Sequence, residues 1–343
     1  MRVALDAQLS VGTATGIGEY ATGLARALRK RGLDVVELRE PRLDPWRFDR
    51  RVLWDQVVLP IRARRAGAQL LHCAGGTMPL CSSLPGVVTV HDLAWLRVQQ
   101  HARGYARYYF GRFALRQYLR AAAIVVDSHF SARELRAILP AIGPNAVRVV
   151  YPGVSEDFSR LVRRPGDGRT ILVVGTVERR KNLEVVIRTL PPLPQARLIC
   201  VGPLTAYAQE CLSLARELKV ADRVELRGYV ARAALLELYR DAAVAAVPSR
   251  YEGFGYAAAQ ALCAGLPCIV SDRSSLPEVA GDDAVVAPLD DIQSWTTALY
   301  AALNGDSELR AHQARARAVA RFSWETAAAE MERAYVAALA GGQ

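Results

Sequence analysis

The sequence predicts an α/β protein of two doubly wound parallel sheets whose strand C-termini face a cleft, and three observations carry that expectation. Short apolar runs alternate with helical patterns along all 343 residues, the mark of βαβ units with helices on both faces of a parallel sheet. The chain is too long for one ordinary core and suits two domains of about 150 to 170 residues each. A polar, basic, Gly-containing stretch, RLVRRPGDGR at 160–169, separates the strands into two sets, as a linker does.

In order, the first domain, expected over 1–164, contributes the runs VALD, DVVEL, QLLH, VVTV, AIVV and VRVV. The second, expected over 165–322, contributes TILVVG, ARLICVG, RVELRG, AVAAVP, PCIVS and DAVVAP. Residues 323–343 have helical periodicity, and Ser323 with Thr326 supplies the hydroxyl half of a capping box without its Glu.

Composition narrows the class. Hydrophobic content of 51% with 23% charge describes a soluble globular chain. No apolar run approaches the roughly 18 residues of a spanning helix, and MRVALDAQLS reads as a strand rather than a signal peptide, so a cytoplasmic location is expected. Six cysteines without a C-x-x-C pair suggest packed, reduced thiols and no metal. Residues 1–164 hold 25 Lys and Arg against 13 Asp and Glu, a net +12, whereas 165–343 hold 19 against 21, a net −2. Arg103, Arg107, Arg112, Arg116 and Arg120 interleave with Tyr105, Tyr108, Tyr109, Phe110, Phe113 and Tyr118 on one expected helix. That helix suits either a solvated basic face or contact with a phosphorylated acceptor or an anionic membrane; no nucleic-acid motif accompanies it.

The most informative segment is VPSRYEGFGYAAAQALCAGLPCIVS, residues 247–271. A strand over 243–247 stops at Pro248, and Gly253, Phe254 and Gly255 open a helix near Tyr256. Uncovered N–H groups at such a helix start favour an anion such as a diphosphate. Glu252 lies in that turn, and Gln260 follows two helical turns later, so both are expected to face one ligand. The plainer reading is a solvated Glu before a buried helix. His91 and Asp92 follow the strand VVTV, where a His can bond a sugar hydroxyl or move a proton, or simply make a structural hydrogen bond. Lys181, one of only three lysines, sits beside Arg180 in GTVERRKNL at another strand-to-helix turn; cations there would neutralise a leaving diphosphate. GTATGIGEY, residues 12–20, reads as a flexible glycine loop before a helix over 19–31. It also matches a dehydrogenase glycine pattern, but Arg26, Val177 and Ala215 occupy the positions four before the lysines where those enzymes need Tyr. Neither D-x-D nor a P-loop is present, so the diphosphate must be held without metal.

With these motifs assembled, the chain resembles family 4 of the retaining, GT-B-fold glycosyltransferases over nearly its whole length. The resemblance rests on LDAQLSVGTATGIGEYATGLARAL, LWDQ, VVTVHDLAWL, DSHFSARELRAI, VRVVYPGV, GTVERRKNL, LRGYVARAALLELYRDAAVAAVPSRYEGFG and GLPCIVSDRSSLPEVAGDDAVVAP. It implies two Rossmann-like domains, the first binding an acceptor and the second a nucleotide sugar, with the last helix crossing back to the first domain. Glu252 matches the first acid of the E-x7-E motif, and Gln260 replaces its second Glu. Lys181 matches the diphosphate lysine; the usual Arg five residues earlier is Thr176, which Arg180 or Arg179 could replace. His91 matches the His that touches the transferred sugar, Gly16 and Gly18 the glycine loop, and Arg227 to Val230, with Gly228 and Tyr229, the turn near the nucleobase. The resemblance further implies front-face attack with retained anomeric configuration and no cofactor.

The expected activity is therefore transfer of a sugar from a nucleotide-diphosphate donor, GDP-mannose as first guess, to a glycan, lipid-linked or natural-product hydroxyl. The alternatives are a sugar-nucleotide epimerase or hydrolase, or a catalytically weak binding protein.

Overall fold

The computed structural model describes residues 1–12, 16–97, 104, 108–143, 146–164 and 167–341. It divides into two compact units, Met1–Gly153 with Ser323–Gln343, and Val154–Phe322.

Each unit is built on a six-stranded, wholly parallel sheet. The first holds β1 (Arg2–Asp6), β2 (Asp34–Leu38), β3 (Leu70–Cys73), β4 (Gly86–Val90), β5 (Ala123–Val126) and β6 (Val147–Val149), in the order β2-β1-β3-β4-β5-β6. The second holds β7 (Thr170–Val174), β8 (Arg197–Val201), β9 (Val224–Leu226), β10 (Val244–Val247), β11 (Cys268–Ser271) and β12 (Val285–Ala287), in the order β12-β11-β10-β7-β8-β9. Central strands such as β3, β4, β5 and β10 are buried along their length. That explains why they read as continuous apolar runs rather than as alternations. The strand order reverses between β1 and β3 in the first sheet and between β7 and β10 in the second. Beyond the C-terminal ends at such a reversal the connecting loops diverge and leave room for a ligand.

The helix Trp324–Ala340 belongs to the first unit. Its Ala327, Ala328, Met331, Ala334, Tyr335 and Ala338 join one core with Tyr20, Ala21, Leu24 and Leu28 of the helix Gly16–Lys30. Ser323 Oγ accepts the Thr326 N–H at 3.0 Å, the half cap legible in the sequence.

Three local expectations differ. The join expected over 160–169 lies inside the second unit, because Arg163 donates to the carbonyls of Tyr239 and Ala242 and pairs with Glu308; residues 165–166 of that stretch are outside the described residues. The helix expected from Glu19 begins at Gly16, so Gly16 and Gly18 form its first turn rather than a loop; Thr13, Ala14 and Thr15 are not among the described residues. The basic aromatic segment is a π-helical turn, Tyr108–Phe113, running into a short α-helix, Ala114–Tyr118; Arg103, Tyr105 and Arg107 lie outside the described residues.

Candidate active site

The reversal point of the second sheet collects the residues singled out around Glu252 and Lys181. After β7 the chain passes through Gly175, whose φ of +146° is one that glycine tolerates. A Cβ there would lie 3.1 Å from Lys181 Cε, so the lysine stem lies across bare backbone. Gly202, after β8, approaches even closer: its Cβ would stand 2.1 Å from the Gly175 carbonyl oxygen. Gly202 N–H in turn donates to the Gly228 carbonyl at 2.9 Å, and Gly228 takes φ +67°. Three glycines thus bring the ends of β7, β8 and β9 together. Tyr229, next to Gly228, is exposed.

A 3-10 turn, Arg179–Lys181, then aims two cations at the loop that follows β10. Lys181 Nζ donates to Glu252 Oε1 at 2.5 Å and Arg180 Nη1 to Glu252 Oε2 at 3.0 Å. Ser249 Oγ donates to the same Oε1 at 2.7 Å. The Glu252 backbone is fixed as well, its N–H donating to Ser274 Oγ and its carbonyl accepting from Ser275 Oγ. Burial alone would push the Glu252 pKa up, but the adjacent Lys181 and Arg180 charges outweigh it and hold it at about 2. Glu252 is therefore one carboxylate between two cations, and Arg180 is shared with a second carboxylate, since Glu178 Oε1 accepts from its Nε at 3.0 Å and its Nη2 at 2.7 Å, so the four charges of the group balance. Arg180, not Arg179, is the arginine that joins it; Arg179 pairs with Glu210 and lies over the Tyr207 ring.

Gly253, Phe254 and Gly255 lead into the helix Tyr256–Ala264. Gly255 has φ +91° and supplies no side-chain cap, and a Cβ on it would press on Leu276 Cδ2 at 2.6 Å. This helix start follows directly on the loop of Glu252, and its dipole favours an anion. Phe254 is buried edge-on against Phe322 and anchors the loop. Gln260 departs from expectation: it is buried and its Oε1 accepts from Tyr239 OH at 3.1 Å, so a packing partner engages it.

In the first unit His91 follows β4 and meets Asp127, which follows the neighbouring β5. His91 Nδ1 lies 2.7 Å from Asp127 Oδ2, and Nε2 lies 2.9 Å from the Ala74 carbonyl. A carbonyl only accepts, so Nε2 carries a proton, and the Nδ1–Oδ2 contact holds a second. Burial opposes a charge on His91, yet Asp127 outweighs it and raises the His91 pKa; burial likewise raises that of Asp127. Both ring nitrogens are thus committed to protein acceptors, an arrangement unlike the sugar-facing imidazole expected from the sequence. Tyr20 packs edge-on against the ring at 4.7 Å. Gly18 is where the helix Gly16–Lys30 touches the preceding turn, since a Cβ would come 2.6 Å from the Leu9 carbonyl oxygen.

Sequence reasoning missed Asp127, Ser249, Ser274 and Ser275. For Asp127 a signal existed, because Val90 and Val126 are parallel neighbours and the residues after them must adjoin. Among the described residues no group of three or more His, Cys, Asp or Glu could hold a metal ion, and no helix is long and apolar enough to cross a membrane.

With this geometry in view, residues 154–319 match the family Glycosyl transferases group 1 and residues 14–158 match Glycosyltransferase Family 4. The chain is 32% identical over 279 residues to a D-inositol 3-phosphate glycosyltransferase of Xylanimonas cellulosilytica, covering 74% of this chain and 67% of that protein. It is 29% identical over 219 residues to the protein of the same description in Mycolicibacterium smegmatis, covering 60% of this chain but only half of that protein. Among solved structures, sucrose-phosphate synthase from Thermosynechococcus elongatus superposes with a TM-score of 0.76 at 22% identity, over 99% of both chains. Anabaena HepE in complex with UDP-glucose superposes with a TM-score of 0.73 at 16% identity, over 98% of this chain and 99% of that one. Two parallel six-stranded sheets in the order described, together with matches to both halves, make this chain a member of the GT-B glycosyltransferases of the group 1 and family 4 type.

Proposed function

We propose that the protein transfers a sugar from a nucleoside-diphosphate donor to a hydroxyl of a phosphate-bearing acceptor, with retention at the anomeric carbon. The observation that carries this reading is the single carboxylate, Glu252, held between Lys181 and Arg180 at the reversal point of the second sheet. The two cations and the start of the helix Tyr256–Ala264, where Gly255 offers no side-chain cap, suit a diphosphate, and they stabilise the charge that develops as it departs. In the step itself the bond from the anomeric carbon to the phosphate oxygen breaks. A bond to the acceptor oxygen forms on the same face, and the acceptor proton passes to the departing phosphate. Glu252 stays ionised and orients the cations; it also bears negative charge near the cationic sugar that forms. A phosphate on the acceptor is supported by the net +12 of residues 1–164 and by the description of the relatives as D-inositol 3-phosphate glycosyltransferases. For the donor, UDP-glucose stands beside GDP-mannose as a candidate, because a structural neighbour carries UDP-glucose.

A thermal-shift panel of UDP, GDP, ADP and their sugar conjugates tests the donor, since a ligand of the folded state raises the melting temperature with its affinity. One nucleotide is expected to shift it clearly. The anomeric configuration of the product, read by proton NMR, then tests retention. Release of nucleotide with no dependence on acceptor would instead identify a hydrolase or epimerase.

A further inference from the structure

Arg250 touches both of the turns that meet at Glu252. One is the 3-10 turn Arg179–Lys181, with Asn182 directly after it; the other is the loop between β10 and the helix Tyr256–Ala264, to which Arg250 and Glu252 themselves belong. The Arg250 N–H donates to the Arg180 carbonyl at 2.8 Å, and Arg180 Nη1 donates to the Tyr251 carbonyl at 2.7 Å. The Arg250 side chain extends this seam. Its Nη2 donates to Asn182 Oδ1 at 2.8 Å and lies 3.3 Å from Glu184 Oε1 in the helix Leu183–Thr189. Its Nη1 lies 3.2 Å from Asp290 Oδ1, beyond β12. One guanidinium thus ties together the segments that follow β7, β10 and β12.

Asn182 is the unusual partner. It is fully buried and takes φ +53°, a left-handed conformation uncommon outside glycine. Its N–H closes the 3-10 turn on the Arg179 carbonyl at 3.1 Å, and its own carbonyl accepts the Val185 N–H at 3.2 Å. Glycine would serve that backbone equally well, so the side chain answers a different need. Its Nδ2 has no partner, and the bond from Arg250 is the one the buried amide makes among the described residues. Arg250 itself is 41% exposed, and ion pairs as open as those with Glu184 and Asp290 add little stability. What the guanidinium supplies is therefore placement, a latch across two turns.

We infer that Arg250 is a positioning residue: through Asn182 it latches the turn of Arg180 and Lys181 to the loop of Glu252 and fixes where the two cations stand. The inference rests on the reading of those cations as the groups that hold a donor diphosphate. A diphosphate that attracts Lys181 and Arg180 draws them away from Glu252. With the turn latched, they meet the charge developing on the leaving group without a shift of backbone. Arg250 acts at one remove, since Nη1 and Nη2 both face protein acceptors.

Arg250→Ala and Arg250→Lys test this in two measurements on the full chain. The first needs no substrate: carbon-13 NMR follows the Glu252 carboxyl in glutamate-labelled protein, the signal being assigned by its loss in Glu252→Gln. Held at about 2 in the native chain, the pKa of this group should rise toward the ordinary 4.5 in Arg250→Ala as the cations lose register. Arg250→Lys keeps the charge, but one ammonium cannot span Asn182 and Asp290 together, so it should give the same rise. The second is sugar transfer from UDP-glucose or GDP-mannose to inositol 3-phosphate. Arg250→Ala should lower kcat about tenfold or more while donor KM stays within about twofold. Asn182→Gly, which keeps the backbone conformation and removes the latch, should do the same, with thermal melts matching the native chain. An unmoved Glu252 titration in Arg250→Ala, or an unmoved kcat in an active enzyme, overturns the inference. Recovery of both readouts by Arg250→Lys overturns it in favour of charge alone, and a loss carried entirely by KM overturns it in favour of direct donor contact. A native chain that transfers no sugar counts against the functional reading, and the titration then decides the latch by itself.

Discussion

The two units bury charge beside their reversal points in opposite ways. In the first, one cation is caught between two carboxylates: Arg51 lies 3.0 Å from Asp55 and 3.7 Å from Asp6, with all three side chains at most 2% exposed. In the second, one carboxylate is caught between two cations, with Glu252 10% exposed and Lys181 and Arg180 each 18%. The first group is sealed and serves as a joint: Asp6 also accepts from Trp54 Nε1 and the Gln8 N–H, and Asp55 holds Thr77 and Tyr109. The second is partly open, and Arg180 also pairs with Glu178, so its charges balance while its cations stay within reach of solvent. Similar ion clusters therefore differ in function through solvent access.

The largest expected effect breaks the second cluster. Glu252→Gln keeps the shape and removes the charge; sugar transfer should fall on the order of a hundredfold or more, while the melting shift with nucleotide persists. Full transfer by this variant would remove Glu252 from the chemistry. Gly202→Ala, whose Cβ would meet the Gly175 carbonyl at 2.1 Å, should destabilise the second unit by about 3 kcal/mol and spare the first. Hydrogen exchange resolved by segment would read that asymmetry. The mirror experiment, Asp55→Asn, leaves Arg51 buried with a weaker partner and should cost the first unit about 3 kcal/mol, seen in the same exchange measurement with the protected segment reversed.

Acid provides a gentler comparison. His72 is buried in the first unit between Tyr335 OH and Thr89 Oγ1, and burial lowers its pKa from 6.5 to about 3. The unfolded chain then binds the extra proton, so this contribution to stability is whole above pH 6.5 and lost as pH falls toward 3. Glu252, held at about 2 against an ordinary 4.5, contributes stability that is lost only between those lower values. Asp55, raised by burial to about 6, works against His72 between 3.8 and 6. The His72 share is therefore isolated as a difference: His72→Gln should flatten the acid-side loss of denaturant stability between pH 6.5 and 3. The smallest expected effect is Gln260→Glu, which faces Tyr239 OH and should change nucleotide affinity only a few-fold, measured by titration calorimetry.

The residues that could be read in advance are those whose role is local. Glu252, Gly253 and Gly255 follow a strand and open a helix, and Lys181 does the same one strand over; apolar runs and glycines mark both turns in the sequence. Partners distant in sequence were not legible. Nothing around Arg51 announces Asp6, and nothing around Glu252 announces Ser274, because sheet order decides which strand ends meet. Gln260 shows the opposite limit: helical spacing placed it toward Glu252, but the packing of Tyr239 claimed it.

The helix Trp324–Ala340 has a consequence for how the protein is made. Its Met331, Ala334 and Tyr335 complete the core of the unit whose strands are translated first, and Tyr335 closes over His72. A ribosome has therefore delivered all of Val154–Phe322, which can assemble on its own sheet, before the opening unit receives its last helix. The unit that begins first finishes last, and until then the apolar faces of Gly16–Lys30 and β1 await their cover.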